Sequence, residues 1–319
     1  MKGSVLVRQG EASRGAFLIR AGAAEARVAL PGGGTLIVAR FSDGEMFGEM
    51  ALIERGVCSA TVIAHSNVDA WFVGRDDFRA LVASREIAAL EVQRAITRTL
   101  ADKLRALNDR VRQYPTAEDR DARDALPEGE IFFQESGKAS FDWRSFLPIL
   151  PFFEGFDEQE IDEFASSGKV IELPGGAWVF GAGVPARACY LVVRGALELL
   201  ARTGQKERRV AITGPGELVG FMAVIDDSPR ANYARAREAC CLLEIPRAAF
   251  MEIYGGASGT TVSLHHAIHR SLMRSIGRTN TQLTRLISHA RLTAARSDAV
   301  ELEKALHGQI VQSSSLTET

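Results

Sequence analysis

Cysteine is scarce in this chain, and neither sign of charge dominates it. The 319 residues include only four cysteines, Cys58, Cys189, Cys240 and Cys241, and none has the spacing of a metal site. We therefore expect no bound metal and reduced thiols, as in cytoplasmic proteins. The formal net charge of −2 argues against a protein that binds nucleic acid generally.

Long apolar runs are also missing. No stretch approaches the length of a membrane span, and Met1–Ser4 does not begin a signal peptide, so we expect no membrane association and a cytoplasmic location. No Ser-His-Asp set, paired carboxylates or Walker loop stands in a catalytic context, so we expect no enzyme. A hydrophobic content of 46% and a charged content of 24% are typical of a soluble globular protein, and the length fits two domains.

Glycines reveal an internal repeat that spans most of the chain. Its offset is 173 residues at first (10 to 183) and 172 later (48 to 220), so one residue is lost near a predicted hairpin tip. The matching positions are Gly10 and Gly183, Gly22 and Gly195, Gly44 and Gly216, Gly48 and Gly220, and Phe78 and Phe250.

Each copy contains short β-rich runs that are separated by glycine and polar turns. Residues 2–73 include SVLVRQG, AFLIRAG, AEARVAL, TLIVARF, SATVIA and DAWFV, and residues 177–256 repeat the pattern. We predict a mainly β protein with helices (α+β), built from two jelly-roll-like β-rolls that are each followed by a long C-terminal helix. The predicted boundaries are 1–113 for the first roll and its helix, 114–140 for a linker, 141–257 for the second roll, and 258–319 for a long helix and a disordered tail.

The second copy has a leading segment that the first copy lacks. Residues 141–174 begin the second domain with a predicted helix, for which Asp157 is the N-cap and Glu160 lies three residues on. Gly3 matches Gly176, so about thirty residues before Gly176 have no counterpart. Either the start is misassigned or truncated, or the first roll has an open edge, which is a pairing liability.

The most informative stretches are GEMFGEMALIERGVCSATV at 44–62 and GELVGFMAVIDDSPRANYA at 216–234. In each, a glycine and an apolar helical turn would present backbone N–H groups to an anion. The F-G-E-M-A-L-I and S-A-T-V sequences resemble the phosphate-binding cassette of cyclic-nucleotide-binding domains. In that family the Glu after F-G binds the ribose 2′-hydroxyl, and an Arg before the small-residue run binds the cyclic phosphate.

The resemblance implies two candidate nucleotide sites. Each lacks one of the two side chains, glutamate and arginine, that bind the nucleotide in the family. In site one, Cys58 stands where the family has arginine, so weak binding of cAMP or cGMP and an empty roll both remain open; Arg55 could compensate. In site two, Phe221 stands at the glutamate position, and we expect Arg230 to pair with Asp226 or Asp227. A non-standard ligand such as a cyclic dinucleotide remains an alternative there. The candidate ligand-binding residues are Gly48, Glu49, Ala51, Ser59, Ala60 and Thr61 in site one, and Gly220, Ala223, Arg230 and Asn232 in site two.

Two long helices, about 85–112 and 258–296, follow the rolls. In the family such a helix covers the pocket and often pairs with the same helix of a second chain. The resemblance therefore favours a homodimer through these helices over a helix that packs only on its own roll. The predicted seam of the first helix comprises Leu90, Gln93, Thr97, Leu100, Leu104, Leu107 and Val111. The predicted seam of the second comprises His269, Leu272, Ile276, Thr279, Leu283, Leu286 and Ala290.

Other charged and titratable side chains on the second helix suggest less. For His265, His266 and His269, spaced for metal binding on a helix, we favour a solvated face. Between Ile253 and Ser297 there is no acidic residue, and the cationic face could meet an acidic partner or nucleic acid, although a solubilising role is favoured. The arginines of that face are Arg270, Arg274, Arg278, Arg285, Arg291 and Arg296.

These observations favour a regulatory protein that senses a cyclic nucleotide and signals through its long helices to an unidentified protein effector. A scaffold or oligomerisation protein with degenerate sites is the first alternative. A nucleic-acid-associated regulator that uses the cationic helix is the second.

Overall fold

The structure is a computed structural model that describes residues 1–29, 34–53, 55–114, 120–121, 141–203 and 206–314. The first copy is a roll of short strands followed by helices, as predicted. Its elements are β1 (Val5–Val7), β2 (Gly15–Ala21), β3 (Ala24–Ala29), β4 (Thr35–Phe41), β5 (Met46–Phe47), α1 (Met50–Ile53), β6 (Thr61–Ala64), β7 (Asp69–Gly74), α2 (Arg75–Ala83) and α3 (Ile87–Arg112).

The second copy repeats this order after a leading segment. It is preceded by β8 (Arg120–Asp121) and by the 3-10 helices Arg144–Ile149 and Pro151–Phe153. Its elements are α4 (Glu158–Ser166), β9 (Lys169–Leu173), β10 (Trp178–Phe180), β11 (Ala188–Arg194), β12 (Leu197–Thr203), β13 (Lys206–Thr213), β14 (Leu218–Val219), α5 (Phe221–Asp226), β15 (Tyr233–Ala236), β16 (Cys240–Pro246), α6 (Arg247–Gly255) and α7 (Gly259–Ser314).

The two rolls share one sheet topology, which confirms the predicted fold class. In the first roll the sheets have the strand orders β1-β6-β3-β4 and β5-β2-β7. In the second roll the corresponding orders are β10-β15-β12-β13 and β14-β11-β16, with β8 and β9 added at the edges. The outer strand β9 pairs antiparallel with β16, and no described strand takes the same place beside β7.

The leading segment of the second roll folds as its sequence predicts. Asp157 caps α4 by accepting from the Glu160 N–H at 2.8 Å, and the Glu160 carboxylate accepts from the Asp157 N–H at 3.2 Å. This reciprocal pair satisfies two backbone donors that a helix start leaves open. Phe152, Phe153 and Phe164 pack around one another just before and within α4, and they join the main apolar core.

The long helices α3 and α7 pack against each other within one chain. Thr97 contacts His269, and Gln93 contacts His265, so each residue meets the residue 172 positions later. Because 172 is also the repeat offset, equivalent positions of the two copies face each other in a parallel pair. We expected the seam of α3 to meet a second chain, but it is already covered by α7, and a homodimer remains a prediction.

The predicted end of the second long helix was wrong. We placed the end of the second long helix near residue 296 and a disordered tail at the terminus, but α7 continues to Ser314. Residues 315–319 lie outside the described residues, as does most of the predicted linker 114–140. Within that linker, Arg120–Asp121 forms a short strand that pairs with Lys206 and Glu207.

Candidate functional site

The larger of two cavities at the repeated glycine turns lies between the second roll and the two long helices. It has a volume of about 450 Å³, within the usual range of small-molecule sites. All four residues predicted for site two line it: Gly220, Ala223, Arg230 and Asn232. Helices α3 and α7 close the opposite wall, so the cavity is shared between the two copies.

Arg230 is the charged group of this cavity. Its side chain is only 5% exposed, and its Nη1 donates to the Gly220 carbonyl at 2.7 Å while Nη2 donates to the Ala188 carbonyl. The guanidinium lies over the Phe180 ring, 4.2 Å from its centroid. Burial lowers the pKa of Arg230, and its buried Nε has no hydrogen-bond partner. A charged donor therefore borders the cavity with unused capacity.

Gly220 makes room for this arginine. It adopts φ +79° directly before α5, a conformation that glycine tolerates best. A Cβ on Gly220 would lie 2.2 Å from Arg230 Nη1, well inside van der Waals contact. The glycine is therefore required by both the turn and the arginine.

The predicted pairing of Arg230 with a neighbouring aspartate is wrong. Asp226 pairs with Arg105 of α3, and Asp227 pairs with Arg247 at 3.1 Å. Both carboxylates are engaged by other arginines, and no carboxylate of the described ranges lies within ion-pair distance of Arg230. Among the described residues, the guanidinium of Arg230 is met by two backbone carbonyls and the face of the Phe180 ring.

Arginines from both long helices hold the rim of this cavity. Arg112 donates to Asn232 Oδ1 at 2.9 Å, and Arg278 pairs with Glu217 at 2.9 Å. Together with Arg105 on Asp226, they connect α3 and α7 to the turn that carries Arg230. A molecule that enters the cavity must lie against these contacts.

Phe221 occupies the position of the ribose-binding glutamate. It is buried, it lines the cavity and it belongs to the main apolar core. A phenyl ring cannot accept a hydrogen bond from a sugar hydroxyl. The floor of cavity two is therefore apolar where cavity one has a carboxylate.

The smaller cavity lies at the first glycine turn and measures about 320 Å³. Its carboxylate, Glu49, is only 4% exposed and accepts from Lys103 Nζ of α3 at 3.4 Å. Of the predicted site-one residues, those that line this cavity are Gly48, Glu49, Ala51, Ser59 and Ala60. Thr61 does not line it; its hydroxyl accepts from the Gln9 N–H at 3.1 Å instead.

Cavity one lacks the arginine that the family uses for the cyclic phosphate, and three of its lining side chains lie near that position. Cys58 lines the wall with a free, partly exposed thiol. Arg55 and Lys103 also line the cavity, so two cations stand near the position that Cys58 leaves without one. Lys103 was not predicted, because its contact with Glu49 spans 54 residues and no local motif marks it.

The histidines of α7 are not on a solvated face, which corrects our prediction. His265 and His269 are fully buried between α3 and α7. Burial lowers the pKa of His265 to about 4 and that of His269 to about 3. Across the part of the chain that the structure describes, no group of three His, Cys, Asp or Glu side chains could hold a metal ion.

The cationic face of α7 is partly used inside the molecule. Arg270 donates to the Glu154 carbonyl at 2.7 Å, and Arg278 pairs with Glu217. These contacts attach the helix to the second roll. None of the described helices is long and apolar enough to cross a bilayer.

The comparison with protein families agrees with this architecture. A family profile described as "Cyclic nucleotide-binding domain" matches residues 1–85 and again 170–255, more than half of the chain. The chain belongs to the cyclic nucleotide-binding domain family. The two matches coincide with the two rolls and with the two glycine turns that border the cavities.

Two curated relatives of this cyclic nucleotide-binding domain protein are similar over part of its length. A cyclic AMP receptor protein of Thermus thermophilus is 34% identical over 104 residues, which are 32% of this chain and 48% of the relative. A cAMP-dependent protein kinase regulatory subunit of Emericella nidulans is 26% identical over 113 residues, 35% of this chain and 27% of the relative. The chain thus matches less than half of either relative.

Among solved structures, the regulatory domain of Toxoplasma gondii PKA with cAMP is similar to this chain. Its sequence identity is 22%, and the match covers 82% of this chain and 80% of that one, with a TM-score of 0.33.

Proposed function

We propose that this protein is a non-catalytic regulatory protein whose second cavity binds a cyclic nucleotide or a related phosphate through Arg230. The observation that carries the proposal is the buried Arg230, which has no carboxylate partner among the described residues and an unused Nε beside a 450 Å³ cavity. An anion that reaches this guanidinium would compensate a buried charge, and charge-assisted hydrogen bonds to phosphate are among the strongest available to arginine.

The ligand class follows from what the cavity offers. Phe221 supplies an apolar surface in place of a ribose acceptor, and Phe180 stacks on Arg230. We therefore expect weaker discrimination for the sugar hydroxyl and a larger role for the phosphate and the base. Cyclic dinucleotides belong among the candidates for the same reason.

The helix pair would transmit the binding event. Arg105, Arg112 and Arg278 connect α3 and α7 to the rim of cavity two. A ligand that favours one arrangement of these contacts shifts the helices by its differential affinity for the two arrangements. An effector protein would then recognise the shifted helix pair.

Calorimetric titration of the full chain with cAMP, cGMP and cyclic di-GMP tests this proposal. We expect saturable binding of at least one ligand, and at least tenfold weaker binding by Arg230→Gln, because a charged hydrogen bond contributes about 1.5–3 kcal/mol. Arg230→Lys should lie between the two, since it keeps the charge and loses the planar fork. Arg237→Gln, an exposed site that lines neither of the two cavities, is the matched control.

If none of the three ligands binds, the alternative of a scaffold or oligomerisation protein is favoured. Equal binding by the parent and Arg230→Gln, with unchanged unfolding midpoints, would place the ligand elsewhere.

A further inference from the structure

A third cavity lies among four helices and shares no lining residue with cavities one and two. It has a volume of about 370 Å³ and is lined by α1 and α2 of the first copy and by α3 and α7. Its apolar lining includes Leu52, Phe78 and Val82, which are at most 5% exposed. An apolar cavity of about 150 Å³ already admits benzene. This third one, which we call the histidine cavity, is therefore large enough for a molecule of two fused rings.

His269 brings an unpartnered polar atom to the histidine cavity. Its ring lines the cavity and is only 1% exposed. Nε2 lies 2.8 Å from the Thr97 hydroxyl and 3.1 Å from the Gln93 carbonyl, which can only accept, so Nε2 carries the proton. Nδ1 is then an acceptor, and no described group satisfies it. A buried acceptor without a partner costs free energy that a donor on a bound molecule would recover.

The side chain of Gln93 supplies a second acceptor. His265 Nε2 lies 3.0 Å from the Tyr254 carbonyl and carries the proton, so Nδ1 of His265 accepts. The Gln93 amide lies 3.2 Å from that Nδ1, so it donates through its NH2 group and keeps its oxygen as an acceptor. Gln93 is buried and lines the histidine cavity. The polar atoms that the buried part of the lining offers are therefore acceptors.

Permanent charge is confined to the entrance of the histidine cavity. Arg79 and Ala83 of α2 line the cavity and are exposed, so they mark its opening to solvent. No carboxylate is among the described residues that line it. His266 also lines it and is half-buried, and burial lowers the pKa of this histidine, which keeps it neutral at pH 7. A molecule that fits the interior is therefore uncharged.

We propose that the histidine cavity binds a small uncharged aromatic molecule that donates one hydrogen bond, from an N–H or O–H group, to His269 Nδ1. Phe78 offers a ring against which such a molecule can pack. An indole N–H is a donor only, so it suits a cavity whose buried polar atoms accept. The bound molecule would contact Leu52 of α1, directly after Ala51, which lines cavity one. Occupancy of the histidine cavity would thus act on the glycine turn of the first copy.

Calorimetric titration of the full chain with indole and with benzothiophene tests this proposal. The two molecules match in shape, but benzothiophene has a sulfur atom in place of the N–H group. At pH 8 we expect saturable binding of indole and about two- to tenfold weaker binding of benzothiophene, from the net contribution of one hydrogen bond. His269→Leu should bind the two molecules equally, because the acceptor is gone. An indole preference that persists in His269→Leu, or no preference in the parent, overturns the proposal.

Variants at the entrance locate the site without altering the core. Ala83→Trp should cover the opening and weaken indole binding by about tenfold or more. Ala80→Trp, at another exposed position of α2 that lines none of the three cavities, is the matched control and should bind indole like the parent. Arg230→Gln should also leave indole binding unchanged, which separates this site from cavity two. Absence of saturable indole binding, or equal binding by Ala83→Trp and the parent, overturns the proposal.

Discussion

Thr97 on α3 and His269 on α7 meet at 2.8 Å across the helix pair, although 172 residues separate them. His269 Nε2 also lies 3.1 Å from the Gln93 carbonyl, which can only accept, so Nε2 carries the proton. Nδ1 is then a buried acceptor, and it has no hydrogen-bond partner. The seam between the two copies therefore contains a buried acceptor, His269 Nδ1, that no described group satisfies.

Removal of this group should stabilise the protein. His269→Leu eliminates the unsatisfied acceptor, and the Thr97 hydroxyl keeps its bond to the Gln93 carbonyl at 3.1 Å. At pH 8 we expect an unchanged or higher free energy of unfolding, by about 1 kcal/mol. Gln93→Leu should have the opposite sign and cost about 1–3 kcal/mol, because it removes the side-chain amide that lies 3.2 Å from His265 Nδ1. His265 Nε2 faces the Tyr254 carbonyl and carries the proton, so Nδ1 accepts, and the amide satisfies it through its NH2 group. Urea unfolding measures both, and a loss of stability in His269→Leu would contradict the assignment.

The same histidines predict acid sensitivity. Their native pKa values are about 4 and about 3, below the usual 6.5, because burial disfavours the charged form. Below pH 6.5 these histidines are protonated in the unfolded chain but stay neutral in the native chain. The free energy of unfolding therefore falls as the pH falls from 6.5 to about 3. From pH 7 to 5 each histidine should remove on the order of 2 kcal/mol. The neighbouring His266 and Arg94 also disfavour protonation of His265.

Urea titrations at pH 7 and pH 5 check this slope. His269→Leu should lose about half of the histidine contribution. An identical pH dependence in the parent and the variant would mean that His269 does not remain neutral in the fold.

Gly220→Ala should disable cavity two from the backbone side. The new methyl group would collide with Arg230 Nη1, and the residue would hold an unfavourable positive φ. We expect a loss of about 1–3 kcal/mol in the free energy of unfolding, together with loss of ligand binding. Gly214→Ala is the matched control, because a Cβ there meets nothing within 4 Å. If Gly220→Ala and Gly214→Ala unfold at the same temperature, Arg230 does not pack against Gly220 as described.

Cys58→Arg should strengthen binding of cyclic mononucleotides in cavity one. The thiol lines the cavity at the position equivalent to Arg230, and a bidentate cation there would add a charged hydrogen bond to phosphate. We expect a ten- to hundredfold gain in affinity by calorimetry, from about 1.5–3 kcal/mol. Cys58→Ser controls for the loss of the thiol. If Cys58→Arg leaves the isotherm unchanged, Lys103 already supplies the charge or the cavity is closed to nucleotide.

Periodicity and glycine spacing predicted the fold because both are local in the sequence. The repeated glycines set the turns, the alternating runs set the strands, and the apolar seam of α3 is buried as expected. The partner of that seam was not predictable in this way. A heptad pattern specifies that a helix is covered, and the connection of both helices in one chain makes the intrachain pair the nearest choice.

The sites were less predictable, because their chemistry depends on distant residues. Lys103 of α3 contacts Glu49, and Arg105 and Arg247 pair with the two aspartates, Asp226 and Asp227, that we expected to compete for Arg230. His265 and His269 carry polar rings that we placed outside, yet both are buried, where they contact Gln93 of α3 and, for His265, the Tyr254 carbonyl of α6. Residue type alone cannot foresee such compensation.

The pairing of α3 with α7 inside one polypeptide has an evolutionary consequence. In a symmetric homodimer every substitution is introduced twice, so opposing positions on the axis must be compatible with themselves. Here α3 and α7 are encoded by separate parts of one chain. Thr97 can therefore face His269, whereas a twofold axis would place two identical residues opposite each other. The glycine turn of either copy can thus change its ligand-binding side chains without a matching change in the other turn.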